Sequence, residues 1–148
     1  MASHKKRKIA AVRKLFKQRE QVATSQFVTA LERLRKERGK DADMQEYLFE
    51  YRGRYQTGAS SGMPARLVKG WKRFLISLED ASQVQRLQTE KAQQYVETAR
   101  VHVVSSRLRV RAGEKLQQRL QDTLAREAAR KERRQLDELT KQRRLSRD

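Results

Sequence analysis

Cysteine is absent from these 148 residues, proline occurs once, glycine six times, and aromatic side chains make up only 6%. Each shortage closes off a class of protein. Without cysteine there is no disulfide, no thiolate metal site and no cysteine nucleophile, and a reducing compartment is compatible with that. With so little proline and glycine, few positions interrupt a helix. Large apolar side chains are spread thinly, so they suit a one-dimensional seam better than a compact core. No apolar stretch approaches the roughly 20 residues that a bilayer-spanning helix needs. The basic cluster Lys5, Lys6, Arg7, Lys8 is not followed by the apolar run of a secretory signal. A nuclear localisation tract is the other reading of that cluster, but short basic runs are common in a chain this basic. The expected location is the cytoplasm.

What the chain does have is charge. Lys and Arg number 36 against 18 Asp and Glu, a formal net charge of +18. Ala, Glu, Lys, Leu, Arg and Gln dominate, which is the bias of long helices and coiled coils. Self-repulsion of this size works against a compact state and draws the chain toward anionic partners.

The clearest landmark is Thr57-Gly58-Ala59-Ser60-Ser61-Gly62-Met63-Pro64, with two Gly, two Ser and the sole Pro. Such a cluster ends one helix and starts another, and Pro64 suits a helix start, where its missing N–H costs nothing. Helices are expected over about 5–56 and about 65–139, followed by a charged tail. Written in heptads from Val68 (a) and Trp71 (d), the second segment gives nine a positions: Val68, Leu75, Ser82, Thr89, Val96, Val103, Val110, Gln117 and Leu124. Its eight d positions are Trp71, Leu78, Gln85, Ala92, Ala99, Ser106, Gly113 and Leu120. Eleven of these seventeen are apolar and none is charged. An unbroken 3-4 repeat of this length predicts a supercoiled seam. The first segment is patchier. It shows three offset stripes (Ile9, Val12, Phe16; Phe27, Leu31, Leu34; Met44, Leu48, Tyr51, Tyr55) and a polar stretch from Arg35 to Asp43, read as a stutter in one helix.

Neither segment buries its stripe alone, so the predicted fold is all-α: two long helices forming an antiparallel coiled-coil hairpin, one domain over 1–148. Counting outward from a turn centred near Ser61 places Tyr51 opposite Trp71 and Leu48 opposite Phe74. The same count leaves a C-terminal helical overhang from Arg119 to Asp148 without an intramolecular partner.

Catalytic constellations are not found. His4 and His102 are far apart in sequence, there is no phosphate-binding glycine loop, and Asp41/Asp43 and Asp137-Glu138 read as solvated charges. A two-helix hairpin also lacks the concave pocket that enzymes need. The expectation is a non-enzyme without cofactor, metal or small-molecule substrate, which works by binding macromolecules. Nucleic acid is one candidate partner, since a basic helix neutralises phosphates without any sequence motif. Against it, acidic residues are mixed among the basic ones along both segments, as in i,i+4 pairs on a solvated face. A second candidate surface lies near the turn. Phe74, Leu78, Ala81 and Gln85 form a 4-3-4 stripe with Phe74 and Ala81 at g, opposite Leu48, Tyr51 and Tyr55. This collection of aromatics reads either as a plug closing the hairpin or as an exposed patch for a protein partner.

Leu48, the Tyr51-Arg52-Gly53-Arg54-Tyr55 pair of tyrosines, a short Gly/Ser loop, then Trp71, Phe74-Leu75, Leu78-Glu79, Ala81, Gln83 and Gln85 follow one another in a distinctive order. Lys131-Glu132-Arg133-Arg134-Gln135-Leu136-Asp137-Glu138 follows near the C-terminus. In these features, in length and in hairpin layout, the chain resembles the FliJ family of flagellar type III export proteins. The resemblance implies a two-helix coiled coil similar to the central stalk of rotary ATPases. It would insert into the ring of a hexameric flagellar export ATPase, promote ring assembly, contact a transmembrane export gate protein and bind export chaperones, in the service of flagellar biogenesis, motility and chemotaxis. The gate-contact residues it implies here are Leu48, Tyr51, Tyr55, Phe74, Leu78, Ala81 and Gln85, and the implied location is the cytoplasm, peripheral to the inner membrane. The equivalent stalk of a virulence secretion system shares the layout. The alternative function is a basic coiled coil that binds nucleic acid non-specifically.

Overall fold

In the computed structural model, residues 2–148 are described; Met1, the first residue of the expected domain, lies outside them. Two helices account for nearly all of them: α1 (Ala2–Ser60) and α2 (Ala65–Arg147), packed against each other without strands among the described residues. Both outrun their expected ends. α1 continues through Thr57 and Gly58 because hydroxyls hold its last turns. Thr57 Oγ1 donates to Gly53 O (3.0 Å), Ser60 Oγ to Gln56 O (2.8 Å) and Ser61 Oγ to Thr57 O (2.9 Å). Gly62, at φ +85°, then reverses the chain, with its N–H reaching Ala59 O at 3.4 Å. That left-handed conformation is the usual reason for glycine just past a helix end. Pro64 O accepts from the N–H groups of Leu67 (3.0 Å) and Val68 (3.1 Å) and starts α2. The tail keeps helical form to Arg147, with Arg144 and Arg147 complementing the negative end of the helix dipole.

The chain divides into two compact units, Met1–Val22 with Val104–Asp148, and Ala23–Val103. In each, the α1 and α2 segments run antiparallel. All seventeen predicted a and d positions of α2 are buried or half-buried. Along α1, apart from half-buried Thr24 beside Ala23, the least exposed positions are Ile9, Arg13, Phe16, Glu20, Ala23, Phe27, Ala30, Leu34, Glu37, Asp41, Met44, Leu48, Tyr51, Tyr55 and Gly58. Their spacing alternates 4-3 throughout, so the expected stutter is absent. Val12 and Leu31, assigned to stripes from the sequence, are 42% exposed and stand beside the seam. The stripes looked offset because Arg13, Glu20, Glu37 and Asp41 occupy seam positions.

In the unit Ala23–Val103 the core is Leu34, Ala92 and Val96, with Phe27 and Ala30 against it; Ala92 is 0% exposed. A polar belt adjoins it. Gln85 Nε2 donates to Glu37 Oε2 (2.6 Å) and Glu37 O (3.1 Å), Thr89 Oγ1 donates to Glu37 O (3.3 Å), and Gln45 Nε2 donates to Ser82 Oγ (2.9 Å). Asp41 Oδ1 is buried there without a hydrogen-bond partner. Such an orphan costs about 1–3 kcal/mol.

In the other unit the seam is thinner. The Phe16 ring lies against Gly113, where a Cβ would come within 3.4 Å of it. Arg13 donates to Gln117 Oε1, and Arg107 Nε stands 4.0 Å from Glu20 Oε1. Gln117, Leu120 and Leu124 are half-buried, and every residue from Ala125 onward is exposed. The unpartnered stretch therefore begins after Leu124 and not at Arg119. The difference follows from the turn: its centre lies nearer Met63 than Ser61, so each residue of α1 meets α2 several residues later than the count from Ser61 gives.

Candidate functional site

The candidate site lies beside the turn, within the unit Ala23–Val103. Its centre is three rings brought together by helix periodicity. Trp71 and Phe74 sit three residues apart on α2, edge to face, with centroids 6.0 Å apart. Tyr51 of α1 meets both: Phe74 edge-on at 5.0 Å and Trp71 tilted at 6.2 Å. Each geometry points the positive edge of one ring at the negative face of another, and such pairs contribute about 0.5–1.5 kcal/mol beyond burial. The Arg54 guanidinium lies 5.3 Å from the Tyr51 centroid while bonded to Glu50 at 2.7 Å, so it is held over the ring.

The rings are not sealed. Phe74 is 43% exposed, and Leu67, one heptad before it, is 54% exposed. Tyr51, Leu67, Gly70, Trp71 and Phe74 line a shallow apolar groove. Gly70 forms part of its wall, where nothing lies within 4 Å of the position a Cβ would take. A plug that only closed the hairpin would not leave this surface open. The patch therefore has both parts: Tyr51 and Trp71 tie the helices together, and Phe74 with Leu67 keeps apolar area open.

The seven residues proposed from the sequence divide accordingly. Tyr51 and Phe74 are in contact. Ala81 is exposed one heptad beyond Phe74, and Tyr55 and Leu78 are half-buried in the seam. Leu48 is only 4% exposed and lies among Arg52, Glu79 and Ser82, not opposite Phe74 as the count from Ser61 required. Gln85 is half-buried and turned into the polar belt, bonded to Glu37. Sequence reasoning missed Leu67, Gly70 and Phe49. Phe49 is 83% exposed, more than any other large hydrophobic residue described. The signal for Leu67 was its g position, one heptad before Phe74; for Phe49 it was an aromatic residue that fits no stripe.

On the other side of the seam, Arg52 Nη2 bridges to Glu79 Oε1 at 2.7 Å, with both side chains about half exposed. An exposed pair of this kind contributes at most about 1 kcal/mol. His4 and His102 are both exposed. Among the described residues no group of three or more His, Asp or Glu is placed to hold a metal ion, and no helix is long and apolar enough to cross a membrane. The arrangement can present a rigid aromatic ridge to a protein surface.

Neither the curated proteins nor the solved structures contain a match to the chain. A family model described as the flagellar FliJ protein matches residues 5–147, which takes in both helices, the turn and the ring cluster. The two-helix hairpin with its tyrosine pair and Trp71/Phe74 ridge belongs to the flagellar FliJ family.

Proposed function

We propose that this chain is the stalk of a flagellar type III export apparatus, acting as one domain. In this reading it binds the hexameric export ATPase and promotes assembly of its ring. It meets the transmembrane export gate through the ridge beside the turn, and it binds export chaperones. It performs no chemistry itself; ATP hydrolysis belongs to the ring. The flagellar assignment is preferred to a virulence system because the matching family is the flagellar one. Its place is then the cytoplasm, at the inner face of the membrane that holds the gate.

The single observation that carries the gate contact is the half-open ring cluster. Tyr51, Trp71 and Phe74 are preorganised by mutual contact, yet Phe74 and Leu67 keep exposed apolar area. Aromatic anchors fixed in advance lose little entropy on binding. Tyr55, Leu78 and Ala81 extend that surface, and Leu48 and Gln85 act through the seam of the same unit, Leu48 by its burial and Gln85 by its bond to Glu37.

The test is Phe74→Ala in the full chain, read by binding to the purified cytoplasmic part of the gate and by export of flagellar subunits. Helix content should remain at wild-type level, while gate binding falls at least tenfold and export fails. Stimulation of the ATPase should persist, since the ring contact lies elsewhere. Normal gate binding by Phe74→Ala would remove the patch from the reading; loss of ATPase stimulation along with it would merge the two contacts into one.

A further inference from the structure

The net charge is not shared evenly between the units. The unit Ala23–Val103 holds 14 Lys and Arg against 10 Asp and Glu, a net of +4. In the other unit, residues 2–22 and 104–124 are the portions whose seam positions are covered. They hold 13 Lys and Arg against three Asp and Glu (Glu20, Glu114, Asp122), a net of +10 in 42 residues. Even if all three acids were paired, ten cations would have no carboxylate within the section. The i,i+3 and i,i+4 ion pairs seen in the structure, Lys40–Glu37, Arg54–Glu50 and Arg100–Glu97, all lie in the unit Ala23–Val103. The mixing of charge that the sequence suggested holds there and, less evenly, in residues 125–148 (9 Lys and Arg against 5 Asp and Glu), but fails in residues 2–22 and 104–124.

We infer that this basic section is a second, independent binding surface, and that its ligand is the phosphate backbone of a nucleic acid duplex. The argument is charge complementarity. Lys5, Lys6, Arg7, Lys8, Lys14 and Lys17 are all exposed on α1, and Arg109, Arg111 and Lys115 are exposed on α2. They stand on successive turns, so they form an extended array and not a single socket. Each 21-residue arm spans about 32 Å at 1.5 Å per residue. That is the length of roughly nine base pairs, carrying about 18 phosphates. The start of α1 strengthens the field, since four cations at a helix N-terminus have no acidic residue in the first turn to offset the dipole.

The same section argues against other nucleic acid modes and against a membrane. Phe16 is its only aromatic residue, and its ring is taken up against Gly113, so no base-stacking platform exists. Recognition is by backbone charge alone, which favours the duplex for its higher charge density. A membrane-surface helix needs a continuous apolar face rich in Trp, Phe or Leu. Here the exposed apolar residues are Val12, Leu15 and Val22 on α1 and Val104, Leu108 and Leu116 on α2; none is aromatic, and exposed Arg19 on α1 and Arg111 and Lys115 on α2 stand among them, so neither arm has a continuous, aromatic-rich face.

The test is fluorescence anisotropy of a labelled 24-base-pair duplex titrated with the full chain between 50 and 200 mM KCl. Binding should be measurable at 50 mM, and the logarithm of affinity should fall with the logarithm of salt with a slope of about −4 or steeper, as for five or more phosphates. Replacing Lys14, Lys17, Arg109 and Arg111 with Glu should lower affinity at least thirtyfold. The same charge change in the other unit, at Lys36, Arg38, Lys69 and Lys91, should lower it less than about threefold, because those residues lie outside the basic section. A set of Gln replacements at the first four sites, with helix content checked by circular dichroism, covers the case in which the Glu set fails to fold. No binding at 50 mM, or equal losses from the two charge sets, overturns the inference. So does binding to vesicles containing 30% phosphatidylglycerol by a chain that ignores the duplex.

Discussion

The two units solve the same packing problem with different materials. In Ala23–Val103 the seam has a closed centre, with Leu34, Ala92 and Val96 at 7% exposure or less, and the surrounding charges nearly balance. In the unit that joins the two ends of the chain, no large side chain of the seam is fully covered, a glycine faces a phenylalanine, and like charge accumulates on the outside. One repeat can thus support a structural half and a charged half in the same pair of helices. The 3-4 spacing sets where side chains go, and their chemistry sets how firmly each part is held.

The sharpest way to break the comparison is Leu34→Ala. It removes a covered side chain from the core cluster with Ala92 and Val96 and should cost about 2–4 kcal/mol, read as a fall in the thermal midpoint. Phe16→Ala, in the thinner seam, should cost less and should raise amide exchange around Val110 before it affects Val96. Next in size, Gly62→Ala should cost about 1–2 kcal/mol through its left-handed backbone. Glu37→Ala should lose about 1 kcal/mol, since it takes from the Gln85 side-chain amide one of its two acceptors and leaves it the Glu37 carbonyl. Asp41→Leu should instead raise stability by about 1 kcal/mol, because Asp41 Oδ1 has no partner to lose; chemical denaturation distinguishes the two signs. Salt sharpens the contrast without mutation. Going from 50 to 300 mM should increase exchange protection in the basic section, where repulsion is relieved, and leave the Val96 region nearly unchanged. The smallest effect should be Phe49→Ala, within about 0.5 kcal/mol of wild type, because that ring is 83% exposed.

How far the sequence could be read depended on which residues filled the seam. α2 was legible throughout because none of its seventeen seam positions is charged, and the structure covers all of them. α1 was legible only where its seam is apolar. At Arg13, Glu20, Glu37 and Asp41 the period persists in geometry but not in hydrophobicity, and the neighbouring Val12 and Leu31 supplied a false stripe. Those charges are tolerated because α2 answers two of them with Gln117 and Gln85, partners that local pattern cannot reveal. The site was half legible. Tyr51 and Phe74 could be paired from spacing, whereas the depth of Leu48 and the inward turn of Gln85 depended on the position of the turn, which hydroxyl groups after Gly53 displaced. Leu67 and Phe49 escaped because a search for buried stripes passes over residues that stay outside.

The belt around Glu37 has a mechanical meaning. A seam of small and aliphatic residues would let one helix slip along the other with little resistance, since one methyl group resembles the next. Slipping by one heptad is a displacement of about 10 Å. In one direction it would bring the Glu37 carboxylate from Gln85 and Thr89 onto Ala92 and Val96. A charge set against dry aliphatic groups is forbidding. Glu37 is an indexing pin: it resists that slip, so the two helices of that unit hold their axial setting instead of sliding one past the other.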